Sequence, residues 1–202
     1  AEKLSYLTFS GMDTSMAERI AALFSNDYIN TLVNDDILGV QYAAILKNVY
    51  ALGAGIANGL DYGDNFLSVL IANAADEMAG FLKKLGAYHI VVGEQESEDP
   101  ITHRMMPNYA ASVYLGDLLV TCYSLHSRNR RLGGLIGKGY SIEAAKGEMN
   151  MVAEGLAAAN CIHQVNTARV QAEMPIADAV YRVCWGMADP ADTFKYLESQ
   201  LI

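Results

Sequence analysis

Residues 41–57 read Gln-Tyr-Ala-Ala-Ile-Leu-Lys-Asn-Val-Tyr-Ala-Leu-Gly-Ala-Gly-Ile-Ala, apolar or small on every side except at Lys47 and Asn48. An unpaired ammonium costs several kcal/mol to bury, so Lys47 must either reach water along its stem or be met by groups from elsewhere in the chain. Its helical neighbours at three and four residues are Ala43, Ala44, Tyr50 and Ala51, so its own helix face offers no charge. A lysine with neutral walls and cationic neighbours is suited to proton exchange near neutral pH. The partners expected for it are Asp117, Thr121 and the run Ser127-Arg128-Asn129.

The chain has 202 residues, 52% hydrophobic and 18% charged, enough for a full core in one large domain or one domain plus a fragment. A net charge of −9 provides no basic excess to neutralise phosphates, which argues against nucleic-acid binding and against an anionic membrane surface. Lys47, Asn48 and several glycines interrupt the longest apolar stretches, so no spanning helix of about 18 uninterrupted apolar residues is expected. No basic segment followed by an apolar one opens the chain, so no secretory signal is expected and cytoplasm is the default. Cys122, Cys161 and Cys184 lack metal-type spacing and are expected as buried free thiols in a reducing compartment. The four histidines show no paired spacing either, so no metal site is expected.

Residues 4–9 alternate as a strand, Gly11-Met-Asp13 turns the chain into a helix from Ser15 to Phe24, and a second strand runs from Tyr28 to Val33. Asn34-Asp35-Asp36 can cap the next helix. From residue 37 the spacing is helical, with helices expected at about 37–58, 65–85, 108–123, 128–137, 141–149, 154–169, 176–186 and 190–200. A short strand is possible from His89 to Val92, and the acidic stretch 93–107 reads as a mobile surface loop. Gly59, Gly86, Gly139 and Gly186 suit left-handed caps, Asp64, Ser141 and Asp189 suit N-caps, and Pro175 and Pro190 suit first turns. The fold class is mainly α: residues 38–202 form a helical domain, preceded at 1–37 by a strand–helix–strand unit too small to make a sheet alone.

Gly53-Ala-Gly55-Ile-Ala-Asn-Gly59 superficially suggests a nucleotide loop, but a helix leads into it where a strand is required, so close helix packing explains it better. Asp117 and Thr121 are four apart and share a face on a helix beginning near Gly116. Ser127-Arg128-Asn129 opens another helix, whose free N–H groups and dipole favour an anion, and Arg128 adds a charged planar fork suited to phosphate. A capped helix with solvated arginines would read the same way locally. Arg130 and Arg131 cannot share the face of Arg128.

Six segments in order carry a resemblance: Leu38-Gly-Val-Gln-Tyr-Ala-Ala-Ile-Leu-Lys-Asn48, Gly53-Ala-Gly-Ile-Ala-Asn-Gly59, Gly116-Asp-Leu-Leu-Val-Thr-Cys122, Ser127-Arg-Asn-Arg-Arg131, Val152-Ala-Glu-Gly155 and Glu173-Met-Pro-Ile-Ala177. Together they resemble the carboxy-terminal domain of bacterial-type NAD(P)-dependent glycerol-3-phosphate dehydrogenase. The resemblance implies an all-helical substrate domain of the 6-phosphogluconate-dehydrogenase-like type, with residues 1–37 as the tail of a Rossmann domain. It further implies reversible oxidation of sn-glycerol 3-phosphate to dihydroxyacetone phosphate, a step in glycerophospholipid and carbohydrate metabolism. By position it makes Lys47 the proton acceptor. Lys47, Asn48, Asp117, Thr121, Ser127, Arg128 and Asn129 would bind substrate, while Arg128, Val152 and Glu154 would approach the cofactor. NAD or NADP is implied, held mainly by a nucleotide domain outside this chain, which is therefore expected to be a fragment inactive alone. A homodimer is the expected assembly.

Two departures stand out: Gln41 occupies a position where glutamate is common in the family, and residues 88–112 include an extra acidic stretch. A β-hydroxyacid dehydrogenase with the same helical domain is the alternative enzyme, although its carboxylate would need a different anchor. A helical self-association module is the non-enzymatic alternative.

Overall fold

The structure, a computed structural model, describes residues 3–86, 95–98, 105–108 and 113–202. It opens with strand β1 (Ser5–Ser10), helix α1 (Thr14–Ala22) and strand β2 (Ile29–Asn34). The two strands pair in parallel, Ser5 opposite Ile29 through to Ser10 opposite Asn34. Asp13 caps α1, and Ala17 and Ala21 are its buried residues.

Helix α2 (Ile37–Gly59) is the centre of the molecule and packs against α3 (Asp64–Leu85), α4 (Val113–Tyr123), α5 (Arg128–Gly137), α7 (Glu154–Val165) and α8 (Pro175–Cys184). Its Leu46, Leu52 and Ile56 are fully buried, each contributing roughly 1.5–3 kcal/mol of apolar transfer. By length and a mean hydropathy of 1.2 this helix could cross a membrane, which corrects the expectation that no segment would qualify: two polar residues are outweighed by the aliphatic ones around them. Half of that apolar window is buried among the other helices. Helices α6 (Ile142–Gly147) and α9 (Pro190–Glu198) complete the set.

Helices α2 and α5 meet backbone to backbone. A Cβ on Gly55 would overlap the carbonyl oxygen of Arg130, and one on Gly133 would overlap that of Leu52. The glycine-rich segment is therefore a packing seam in mid-helix, not a nucleotide loop.

Several boundaries differ from expectation. Gln95–Glu98 (β3) pairs antiparallel with Met105–Asn108 (β4), so part of the stretch read as loop is a two-stranded ladder; main-chain hydrogen bonding needs no apolar side chains, which is why an acidic composition concealed it. Asn108 accordingly belongs to a strand, and Gly116 lies inside α4 instead of opening it. The possible strand at 89–92 lies outside the described residues. Gly86 and Gly139 do take positive φ, but after α2 and α8 that conformation falls on Asp61 and Met187 in place of Gly59 and Gly186. Gly59 is needed instead where α2 touches Gly134 and Gly137. Gly63, not Asp64, is the N-cap of α3, and Asp64 takes the first helical position, where its charge meets the dipole. The expected helix 154–169 stops at Val165 and continues as a π turn over Asn166–Val170, because the Asn166 side chain bonds both the N–H and the carbonyl of Ala172. Cys161 is exposed, whereas Cys122 and Cys184 are buried.

Candidate active site

Asp36 caps α2 by accepting from the N–H of Gly39 at 2.9 Å. Eleven residues further on, about three turns, Lys47 reaches toward α4. Its Nζ donates to Asp117 Oδ2 at 2.5 Å, with the lysine side chain 23% exposed and the aspartate 49%. The lysine thus meets the Asp117 carboxylate expected as its partner, while the cation expected beside it, Arg128 on α5, pairs with Glu154; Arg130 and Arg131 bond the carbonyls of Tyr123 and Glu148.

Lys47 and Asp117 lie in the wall of a cleft of about 1230 Å³ between the paired strands and helices α2 and α4. Leu7, Leu32, Val40, Ala43 and Val120 give it apolar sides, and Thr8, Asn30, Thr31 and Tyr114 add hydroxyl and amide groups. A concave, mainly apolar space with one charged pair is the usual form of a small-molecule site. Thr121, one turn beyond Asp117, donates instead to the Asp117 carbonyl at 2.6 Å.

A second cluster adjoins the first through Asn48. Asn129, 4% exposed, donates from Nδ2 to Asn48 Oδ1 at 2.9 Å and accepts from the N–H of Gly155 at 2.9 Å. Both polar atoms of its amide are engaged, so Asn129 ties α2, α5 and the start of α7 together. Ser127 caps α5 by accepting from the N–H of Arg130 at 3.3 Å. Arg128 pairs with Glu154 at 2.8 Å in the open, a contact worth little to stability at such exposure. Val152 is 78% exposed.

The residues singled out from sequence therefore form two neighbouring groups, Lys47 with Asp117 in the cleft and Asn48, Asn129, Arg128 and Glu154 in a chain beside it. Thr121 reaches the first group only through its bond to the Asp117 main-chain carbonyl, and Val152 stands exposed. Sequence reasoning missed Tyr114 and Asn34, whose contact spans 80 positions and leaves no local pattern. It also missed buried Glu77, which does leave one: it falls seven residues after Leu70 and four before Phe81, on the apolar stripe of α3.

A family model described as NAD-dependent glycerol-3-phosphate dehydrogenase C-terminus matches residues 36–195. Among curated relatives, the glycerol-3-phosphate dehydrogenase (NAD(P)+) of Lacticaseibacillus paracasei is 37% identical over 182 residues, 90% of this chain and 47% of that protein. The Clostridium tetani protein of the same name is 38% identical over 171 residues, covering 85% of this chain and 44% of its own. The chain thus spans about half the length of the curated relatives it matches. Among solved structures, the glycerol-3-phosphate dehydrogenase of Coxiella burnetii superposes with a TM-score of 0.81 at 23% identity, over 97% of this chain and 55% of the other. The Saccharomyces cerevisiae enzyme gives 0.75 at 20% identity, over 98% and 55%. At those identities the superpositions establish the fold alone.

Proposed function

The chain belongs to the family of NAD-dependent glycerol-3-phosphate dehydrogenase C-terminal domains, and from that premise we propose that it supplies the substrate-binding and proton-transfer residues for reversible oxidation of sn-glycerol 3-phosphate to dihydroxyacetone phosphate. The observation that carries this reading is the short Lys47–Asp117 contact in the wall of a cleft large enough for a substrate beside a nicotinamide. Oxidising a secondary alcohol removes the hydroxyl proton to a base and a hydride to an acceptor. When bound, the nicotinamide supplies the hydride acceptor, NAD or NADP serving equally well in this respect.

Lys47 handles the proton. In the reductive direction its ammonium donates to the carbonyl oxygen as that oxygen gains charge. Asp117 orients the ammonium and balances its charge, and its half-exposed carboxylate links the pair to solvent, through which the lysine is reloaded. In the oxidative direction the lysine must first lose that proton and then takes the one from the substrate hydroxyl. Asn48 and Asn129 set the neighbouring wall, while Arg128 and the start of α5 at Ser127 offer positive potential for the phosphate. Thr121 is proposed as a further substrate contact, and Arg128, Val152 and Glu154 as the edge facing the cofactor.

Residues 1–37 are proposed to belong to the nucleotide-binding unit, with the helical domain from 38 to 202. Support comes from a parallel pair of strands that leaves Leu4, Tyr6, Leu7 and Leu32 exposed, too few strands to be stable without further cover. A homodimer is the proposed assembly, checked by sedimentation equilibrium.

Lys47→Ala in the complete polypeptide should abolish turnover in both directions while leaving the circular dichroism and melting temperature intact. Retained turnover would remove the central role assigned to this lysine.

A further inference from the structure

We infer that the hydrogen bond between Asn34 and Tyr114 is a strut that sets the spacing between the strand ends and the Lys47–Asp117 pair, making Tyr114 a positioning residue for the reaction proposed above.

Asn34 is the last residue of β2, and its groups gather four parts of the fold. Its backbone carbonyl accepts from the N–H of Gly11 at 3.1 Å. Its Oδ1 accepts from the Ser10 hydroxyl at 2.6 Å and from the N–H of Asp36 at 3.3 Å. These bonds join the ends of β1 and β2 to the capping residue of α2, the helix that carries Lys47. The backbone N–H of Asp36 can only donate, so the amide orientation is fixed with oxygen on that side. The nitrogen, Nδ2, is left to donate to Tyr114 Oη at 3.2 Å.

Tyr114 lies on α4 three residues before Asp117, a spacing that puts both on one face, and both residues line the cleft. The bond therefore ties the β2 end and the α2 cap directly to the helix bearing the lysine's carboxylate. Burial, and then the negative charge of Asp36, push the Tyr114 phenol well above its ordinary range, so the hydroxyl stays protonated and the polar contact persists at any working pH. Apolar packing between α2 and α4 could tolerate small slides, whereas a directional hydrogen bond at a strand end does not. Because a misplacement of about 1 Å can cost on the order of a hundredfold in rate, such a strut would act on chemistry more than on affinity.

The test uses the complete polypeptide reducing dihydroxyacetone phosphate with NADH and, separately, NADPH. Tyr114→Phe should lower kcat about tenfold or more, with KM for the phosphate substrate within about twofold and melting temperature unchanged; Asn34→Ala, which also gives up the Ser10 and Asp36 bonds, should lower kcat at least as far. The primary isotope effect measured with deuterated dinucleotide should rise, because hydride transfer becomes more fully rate-limiting. The double variant should be no worse than Asn34→Ala alone, because the Tyr114 hydroxyl is proposed to act through Asn34. A kcat near the wild-type value, additive losses, or an activity loss that tracks a fall in melting temperature would overturn the strut. Active wild type with unaffected variants overturns only this inference; wild type inactive on both glycerol 3-phosphate and dihydroxyacetone phosphate overturns the functional reading with it.

Discussion

Glu77 on α3 accepts from the backbone N–H of Ile176 at 2.8 Å and from that of Ala177 at 2.9 Å, so a buried carboxyl from one helix caps the first turn of another. Pro175 precedes them at the start of α8 and contributes no N–H of its own. Glu77 is 6% exposed. Burial pushes its carboxyl up to about 8, against the downward pull of the two amide donors.

That shift has a definite sign. The unfolded chain releases the Glu77 proton near 4.5, while the folded protein holds it until about 8. The contribution to stability is therefore full below about pH 4.5, declines as pH rises, and is lost on passing through about 8. Glu77→Gln should flatten this component. The difference in unfolding free energy between wild type and variant, from urea titrations at pH 5 to 9, should change by on the order of a few kcal/mol in the variant's favour. Parallel pH profiles would mean that Glu77 is not the group responsible.

The seam between α2 and α5 predicts opposite outcomes for two chemically identical changes. Gly55→Ala drives a methyl into the Arg130 carbonyl, a backbone atom that cannot move without separating two core helices, and should cost about 3 kcal/mol or prevent folding. Gly80→Ala, within α3, meets nothing within 4 Å and should stabilise by up to about 1 kcal/mol through the unfolded chain. Thermal melts of the two variants check both signs, and an equal response would deny that the seam is tight.

Period and punctuation carried most of the helical architecture. The span 128–137 coincides with α5 because Ser127 is a side-chain cap and the glycines after it are interior packing residues. Where one residue type serves two purposes, the pattern was half right: α2 does end at Gly59, but without the left-handed turn expected of it, and the backbone of α5 is what demands a glycine there. The same limit applies at the candidate site. Lys47 was conspicuous because its own helix offers no partner, and Asp117 could be named as the counter-charge from its position near the start of a helix. Asn34 and Tyr114 could not, since each is an ordinary strand-end or helix residue until the fold brings them together. Asn129 is intermediate: its motif drew notice, yet its packing role depends on Gly155, 26 positions away.

That packing role is separable from charge. Asn129→Ala leaves Asn48 Oδ1 and the Gly155 N–H without their partner in a buried place, and each such group costs about 1–3 kcal/mol. Asn129→Asp keeps the acceptor toward Gly155 but sets a carboxylate against the Asn48 carbonyl oxygen. It should therefore be at least as damaging as Ala, and chemical denaturation of the three proteins should rank wild type well above both. An aspartate variant as stable as wild type would show that the Asn48 contact contributes nothing.

The three cysteines differ in reactivity for a reason that also reports on α8. The thiolate is the reacting species, and burial pushes the thiols of Cys122 and Cys184 up to about 12, whereas Cys161 is exposed on α7. At pH 8 one thiol should react rapidly with an aromatic disulfide reagent and two should react only as the structure opens; two or three fast equivalents in the folded protein would contradict the assigned burial. Cys184 is the last residue of α8, the helix whose first turn Glu77 caps, while Cys122 lies on α4. Loss of the cap in Glu77→Ala should therefore speed the labelling of Cys184 more than that of Cys122, because α8 frays before the whole core does. Equal acceleration at both would mean that removing the carboxyl loosens the fold globally, and the cap would then be a property of the core and not of the helix it begins.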